Sequence, residues 1–319
     1  MTLLLIALII DRVVGDPDWL WQRVPHPVVG FGRIISRVDD ALGDDRADQA
    51  RAFSYGVAVL ALLFLVCMAV WWLVVSLGAW LWPAAWLLEL IIVVVMLAQK
   101  SLHDHVAAVA HALRSDGLDS GRAAVSRIVG RNVSSLDESG VSKAAIESLA
   151  ENYSDGVVAP VFWYCVAGLP GILFYKAVNT ADSMIGHKSP KYLHFGRAAA
   201  ILDDWMNWPA ARISAVLISL AHALKAGGAR AWAAFENVRE EAPLHVSPNA
   251  GWPEAAFAHA LGLSLGGPRS YGGEAIEAVT FNSGGRERAG VPDISTGLAL
   301  FERTGLILWG VVLFLAVIF

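Results

Sequence analysis

The run F-S-Y-G-V-A-V-L-A-L-L-F-L-V-C-M-A-V-W-W-L-V-V, Phe53 to Val75, decides the fold class: 23 residues without a charge. At about 1.5 Å of rise per residue a helix of that length reaches roughly 34 Å, enough to cross a bilayer's hydrocarbon core. Ser76 to Ala98 follows as a second such run, interrupted only by Glu89. Gly78 and Pro83 lie between the two apolar centres, which predicts a tight helical hairpin. Thr304 to Phe319 is a third candidate. Its length gives about 24 Å, so it spans only where the bilayer thins. Val157 to Val178 is apolar but holds Pro160, Gly168, Pro170, Gly171 and Lys176, the pattern of a kinked span or of a re-entrant pair of short helices. Pro209 to Leu224 is weaker, because it carries Arg212 and His222. Thr2 to Ile10 is too short to span and lacks the basic start and small-residue cleavage site of a signal peptide. It reads as a helix packed into the protein or dipping into one leaflet.

The rest of the composition agrees. Charged residues make up only 17%, where soluble domains run near a quarter, and the 13 Trp suit a protein with membrane–water interfaces. The net charge of -5 argues against nucleic acid as a partner, since a nucleic-acid binder needs a basic face. Cys67 and Cys165 both lie in apolar runs and read as buried small hydrophobes, not as a disulfide framework. Ala-rich stretches such as His103 to Leu113 and Val141 to Glu151 have helical periodicity, and strand alternation is scarce. The expectation is an all-α, polytopic integral membrane protein, one domain over residues 1–319.

Basic residues set the orientation. Residues 1–52 carry six Lys plus Arg, residues 99–155 another six, and residues 179–303 eleven, while Ser76 to Ala84 carries none. Both flanks of the hairpin are therefore expected at the cytoplasmic face of the inner membrane, with the hairpin tip outside. An even number of crossings between residues 155 and 179 is then needed, which favours the re-entrant reading of Val157–Val178.

The chemistry concentrates beside the apolar runs. In E-S-L-A-E-N-Y-S-D-G, Glu147 to Gly156, the acids Glu147, Glu151 and Asp155 are spaced four apart and share one helical face, with Asn152 adjacent. That is either a solvated acidic face or a divalent-cation site, because oxygen-only donors suit Mg²⁺. Across the next apolar run comes N-T-A-D-S-M-I-G-H-K, Asn179 to Lys188, with Asn179 and Asp182 three apart. Asp203, Asp204 and Asn207 form a third group. Polar groups beside lipid are costly unless they face a cavity or one another, so the three groups are expected to converge. His26 stands between prolines in P-H-P and reads as structural. The glycine-rich stretches Leu265–Gly273 and Asn282–Gly290 are weak anion-loop candidates. The chain has no G-x-x-x-x-G-K-[ST], G-x-G-x-x-G, C-x-x-C or H-E-x-x-H, so a nucleotide is held by some other device and zinc catalysis is disfavoured.

These segments taken together resemble a known family. E-S-L-A-E-N-x-S-D-G, N-T-x-D-S-M-x-G-H-K, L-D-D-x-x-N and H-V-S-P-N-A-G-W-P-E-A-A (His245 to Ala256) are similar to the adenosylcobinamide-phosphate synthases, called CobD or CbiB. D-R-V-V-G-D-P from Asp11, P-H-P-V and R-N-V-S-S-L-D (Arg131 to Asp137) fit the same family, so the resemblance covers about Asp11 to Gly273. Tyr153 in place of a small Thr, Ile201 in place of an Arg, and the position of Pro209 depart from its pattern.

The resemblance implies an ATP- and Mg²⁺-dependent ligation. A propionate of adenosylcobyric acid, a corrinoid, joins the amine of aminopropanol phosphate or ethanolamine phosphate. Set beside that reaction, the residues' own chemistry assigns Glu147, Glu151, Asp155, Asp182, Asp203 and Asp204 as metal ligands, and Glu151, Asp155 and His187 as catalytic groups. Asn152, Lys176, Asn179, Lys188, Asn207, Arg212, Ser247 and Asn249 would bind substrate, with Lys176, His187, Lys188 and Arg212 neutralising phosphate oxygens. Two other classes fit the residues. Polar clusters and broken helices also suit a transporter or an AmpE-like membrane sensor, and paired Asp on helices suits a Mg²⁺-dependent prenyl-type transferase.

Overall fold

The computed structural model of the chain describes residues 1–23, 25–42, 48–267, 269–271, 274–276 and 279–318. It is helical almost throughout, as its apolar runs require, because only a helix satisfies every backbone group of a lone segment in lipid. Among the described residues, four helical stretches are long and apolar enough to cross a membrane: Gln49–Trp80, Trp82–Ser115, Glu138–Ile185 and Val291–Ile318. Residues 209–224 lie in a helix that is not among them. Contacts divide the chain into two compact units where the sequence reads as a single domain: Met1–Ala98 with Ala159–Asn207, and Gln99–Val158 with Trp208–Phe319.

In the first unit α1 (Thr2–Val14) packs on α5 (Trp82–Met96) through a face that buries Leu4, Ala7 and Leu8. After the short α2 (Asp18–Trp21) and α3 (Pro27–Leu42), helix α4 (Gln49–Trp80) starts at Asp48, whose carboxylate caps the amides of Ala50 and Arg51. The helix stops at Leu81, where φ −147° and ψ 75° leave the helical region, and Pro83 opens α5 in the one turn that needs no amide donor. This is the predicted hairpin. Leu62, Phe64, Leu65, Trp72 and Leu73 of α4 stay exposed, the pattern of a face that meets lipid. Glu89, the sole charge in its apolar run, accepts a 2.8 Å hydrogen bond from the Tyr164 hydroxyl.

Helix α9 (Ala159–Ile185) is broken at Gly168, with φ 62° and ψ −148°. The chain folds back there. A Cβ on Gly171 would overlap the carbonyl of Trp163, eight residues earlier and about 12 Å away along an unbroken helix. Trp163 Nε1 donates to Met206 O and Tyr175 Oη to Asn207 Oδ1, so positions on opposite sides of the break reach adjacent residues of one partner. Residues 157–178 therefore contain a helical pair folded on itself, which agrees with the re-entrant pattern and not with one straight span. Helix α10 (Arg197–Ala226) closes this unit with its first residues and opens the second with the rest.

The second unit is arranged around α8 (Glu138–Tyr153), capped by Asp137, which accepts from the Gly140 amide at 2.8 Å. Its Ala144, Ala145, Ile146 and Leu149 are fully buried against α6 (Gln99–Ser115), α7 (Leu118–Val125), α12 (Gly251–Leu261) and α13 (Val291–Ile318). A single π turn, Ser154–Val158, follows α8. Helix α11 (Gly228–Glu241) packs on α12. Among the described residues, strands are confined to two small antiparallel pairs. β1 (Leu265–Gly266) pairs with β4 (Thr280–Phe281), and β2 (Arg269–Tyr271) with β3 (Glu274–Ile276).

Candidate functional site

The first unit gathers one polar cluster where α9 and α10 meet. Asp203 is buried on α10, and Asn207 one turn on donates Nδ2 to Asp203 Oδ2 at 2.9 Å. Asn179 of α9 donates to Asp203 Oδ1 at 3.3 Å, and Tyr175, fully buried, donates its hydroxyl to Asn207 Oδ1 at 2.7 Å. Burial pushes the Asp203 carboxyl up to about 7, and the negative charge of Asp182 adds to the shift against the two amide bonds. Burial also raises Asp204, opposed by the nearby charge of Lys188. His187 bears electrostatically on Asp182. The predicted groups Asn179, Asp182, His187, Lys188, Asp203, Asp204 and Asn207 thus belong to one neighbourhood. Lys176 lies on the same arm of α9, half-buried, its carbonyl accepting from Thr180 Oγ1.

Two glycines and one acid fix the loop that carries His187 and Lys188. A Cβ on Gly186 would overlap the Asp182 side chain, and one on Gly196 would overlap the Ile185 carbonyl. Between them Lys191 Nζ (2.8 Å) and Tyr192 Oη (3.0 Å) both donate to Asp39 Oδ2 on α3. Asp39, Lys191 and Tyr192 escaped the sequence reading, since nothing in their spacing links positions about 150 residues apart.

The second unit treats its acids differently. Glu147 is buried on α8, with Arg131 Nη2 donating to Oε2 at 2.9 Å and the Gly266 amide to Oε1 at 2.8 Å. It is neutralised and ties two loops to the helix, so a metal would have to displace an arginine. Arg131 lies in a motif the sequence reading quoted without giving it a role. Asn152, exposed, turns back along its own helix and donates Nδ2 to Ser148 O at 2.9 Å. Glu151 is exposed and Asp155 half-exposed, the latter inside the π turn, an irregularity frequent at functional positions.

Arg212 sits between the rings of Trp208 and Trp252, its Cζ 4.5 and 4.8 Å from their centroids. Its Nη1 donates to Asn249 Oδ1 at 2.9 Å and its Nη2 to Pro248 O at 3.1 Å. Ser247 Oγ accepts from the amides of Asn249 and Ala250 and shapes the turn into α12. Arg212, Ser247 and Asn249 thus brace the S-P-N-A-G-W-P turn. Of the glycine-rich stretches, Asn282–Gly290 is a closed structural turn, in which Asn282 Nδ2 reaches Ala258 O and Leu263 O. Leu265–Gly273 lies partly outside the described residues.

For Mg²⁺ the donor chemistry of Asp182, Asp203 and Asp204 with Asn179 and Asn207 fits, being all oxygen. Among the described residues no group of three or more His, Cys, Asp or Glu is gathered closely enough to hold a metal ion. The fit is therefore one of donor type alone.

A family profile described as CobD/Cbib protein matches residues 4–301. The chain belongs to the CobD/CbiB family. A relative named "Cobalamin biosynthesis protein CobD" from Sinorhizobium sp is 54% identical, covering 100% of this chain and 98% of the relative. Proteins of the same name from Rhizobium meliloti (53% identical) and Rhodobacter capsulatus (42%) each cover 94% of this chain and 92% of the relative. No solved structure matches the chain. The E-S-L-A-E-N, N-T-x-D-S-M and S-P-N-A-G-W-P segments all fall inside the matched CobD/CbiB region.

Proposed function

We propose that this CobD/CbiB protein works in cobalamin biosynthesis as an adenosylcobinamide-phosphate synthase, in the inner membrane with its active face cytoplasmic. Family membership over nearly the whole chain supports the pathway, and the Asp203 cluster is the observation that carries the chemistry. A buried carboxylate next to two further acids, held by amides and not by a fixed cation, suits a site whose positive charge arrives with its ligands.

The reaction joins a propionate carboxylate of adenosylcobyric acid to the amine of aminopropanol or ethanolamine phosphate. A carboxylate acylates poorly, so its oxygen first attacks the γ-phosphorus of ATP and ADP leaves. The amine then attacks the acyl carbon, phosphate departs with the C–O electron pair, and the amine loses a proton. Mg²⁺, when bound, supplies charge neutralisation for the phosphoryl oxygens. Asp182, Asp203 and Asp204 are the carboxylates assigned to hold it. His187 and Lys188 are assigned to the phosphate oxygens, which need fixed cations beside so many carboxylates.

The test supplies the protein, reconstituted in lipid, with adenosylcobyric acid, aminopropanol phosphate, ATP and Mg²⁺. One ADP and one phosphate should appear per amide formed, with no product after chelation of Mg²⁺. Product without nucleotide turnover, or no product in either condition, would overturn the assignment and reopen the transporter and prenyl-type readings.

A further inference from the structure

In the unit formed by Gln99–Val158 and Trp208–Phe319, the second half of α10 and α11 line an open apolar groove with a cavity volume of about 240 Å³. Val216, Leu220 and Ala223 line it from α10, and Ala231, Trp232 and Phe235 from α11. It is smaller than the roughly 300–1,000 Å³ of sites for drug-sized ligands and no charged side chain lines it, so it suits neither a corrinoid nor a nucleotide. A single hydrocarbon chain fits both facts.

The surroundings say where such a chain comes from. Val216, Leu220 and Leu224 repeat every four residues along α10 and are 44%, 50% and 76% exposed, with Trp232 at 61% beside them. An apolar stripe of that kind marks an interaction surface. His222, on the same stretch of α10, feels the charges of Lys225, Arg303 and His259. Arg303 is the last charged residue of α13 before the apolar run that starts at Thr304. This end of α10 therefore stands where α13 enters the hydrocarbon layer. Lys225 and Arg230 lie exposed at the α10–α11 connection, with no ion-pair partner among the described residues. A basic rim, a Trp and an apolar stripe at that level are the marks of a segment lying in the membrane interface.

We propose that the α10–α11 hairpin lies in the bilayer interface, where its cavity holds one acyl chain of a phospholipid whose anionic headgroup rests on Lys225 and Arg230. The hairpin then spans nothing. It reaches into one leaflet and anchors the polar part of its unit against the membrane.

The test uses the full chain with Cys67→Ala and Cys165→Ala and a nitroxide at Leu220→Cys, in phosphatidylcholine vesicles with and without phosphatidylglycerol. Oxygen should relax the label more than a water-soluble nickel chelate does, at a depth of about 5–10 Å below the headgroups. Relaxation by the chelate as in bulk water would overturn the proposal. So would dipolar broadening between labels, which would show a second copy on the groove. Independently, the phosphatidylglycerol enrichment of lipid co-purified with unlabelled protein should fall about fivefold for each of Lys225→Ala and Arg230→Ala, since a basic residue at the surface contributes about 1 kcal/mol. Unchanged enrichment would remove the headgroup assignment.

Discussion

Asp203 and Glu147 are both buried helical carboxylates, each in an acid-rich segment beside an apolar run, and their surroundings are opposite. Glu147 has a cation, Arg131, and a backbone amide from Gly266. Asp203 has two side-chain amides and two neighbouring acids, and burial lifts it to about 7. A buried charge costs several kcal/mol unless it is paired, so the two residues answer different needs. Glu147 already has its counter-charge and holds loops to α8. Asp203 is held by side-chain amides alone, which is the basis of its proposed role as a cation ligand. Spacing of acids along a helix does not reveal this difference. The identity of the partner across the fold does.

The comparison can be broken from either side. The largest expected effect is on stability. Glu147→Gln leaves the partly buried Arg131 without its counter-charge, which should cost up to about 3–5 kcal/mol and lower the midpoint of thermal unfolding in lipid nanodiscs. An unchanged midpoint would mean that the pair is not a strut. Next, Asp203→Asn should lower turnover by more than about 100-fold, beyond what loss of an outer-shell metal partner usually costs. Its unfolding midpoint should shift little, because relief of the repulsion from Asp182 offsets the loss of one of the two accepted amide bonds. Lys188→Ala should weaken apparent affinity for ATP or for the amino-alcohol phosphate by about 1.5–3 kcal/mol, the usual worth of a charged hydrogen bond. Steady-state kinetics with each substrate varied in turn will show which, and unchanged affinity for both would take Lys188 out of the site. The smallest effect is that of Tyr175→Phe. It removes one bond to Asn207 and should cost about 0.5–1.5 kcal/mol, read as a modest loss of turnover with KM little changed.

Much of the fold was legible because bilayer thickness imposes a length on apolar runs. Phe53–Val75 and the Gly78–Pro83 break led directly to the α4–α5 hairpin. The fold-back at Gly168 was legible only as an alternative, since proline and glycine mark a break without giving its angle. The division into two units was not legible. It depends on which helix faces meet, and α4 and α5 are apolar all round. At the site, the local pairs Asp203–Asn207 and Asn179–Asp182 follow from helical periodicity. The partners of Glu147 and Asp39 come from far along the chain, and no period announces them.

The central claim is that the acids around Asp203 form a cation site and that Glu147 does not belong to it. Titration of the nanodisc-embedded protein with Mn²⁺ in place of Mg²⁺, followed by electron paramagnetic resonance of free and bound ion, tests this without relying on turnover. The account predicts that Glu147→Gln, measured at a temperature where it is folded, keeps the bound Mn²⁺ of the unmodified chain, while Asp203→Asn loses it. Loss of bound Mn²⁺ in Glu147→Gln with full retention in Asp203→Asn would contradict the account.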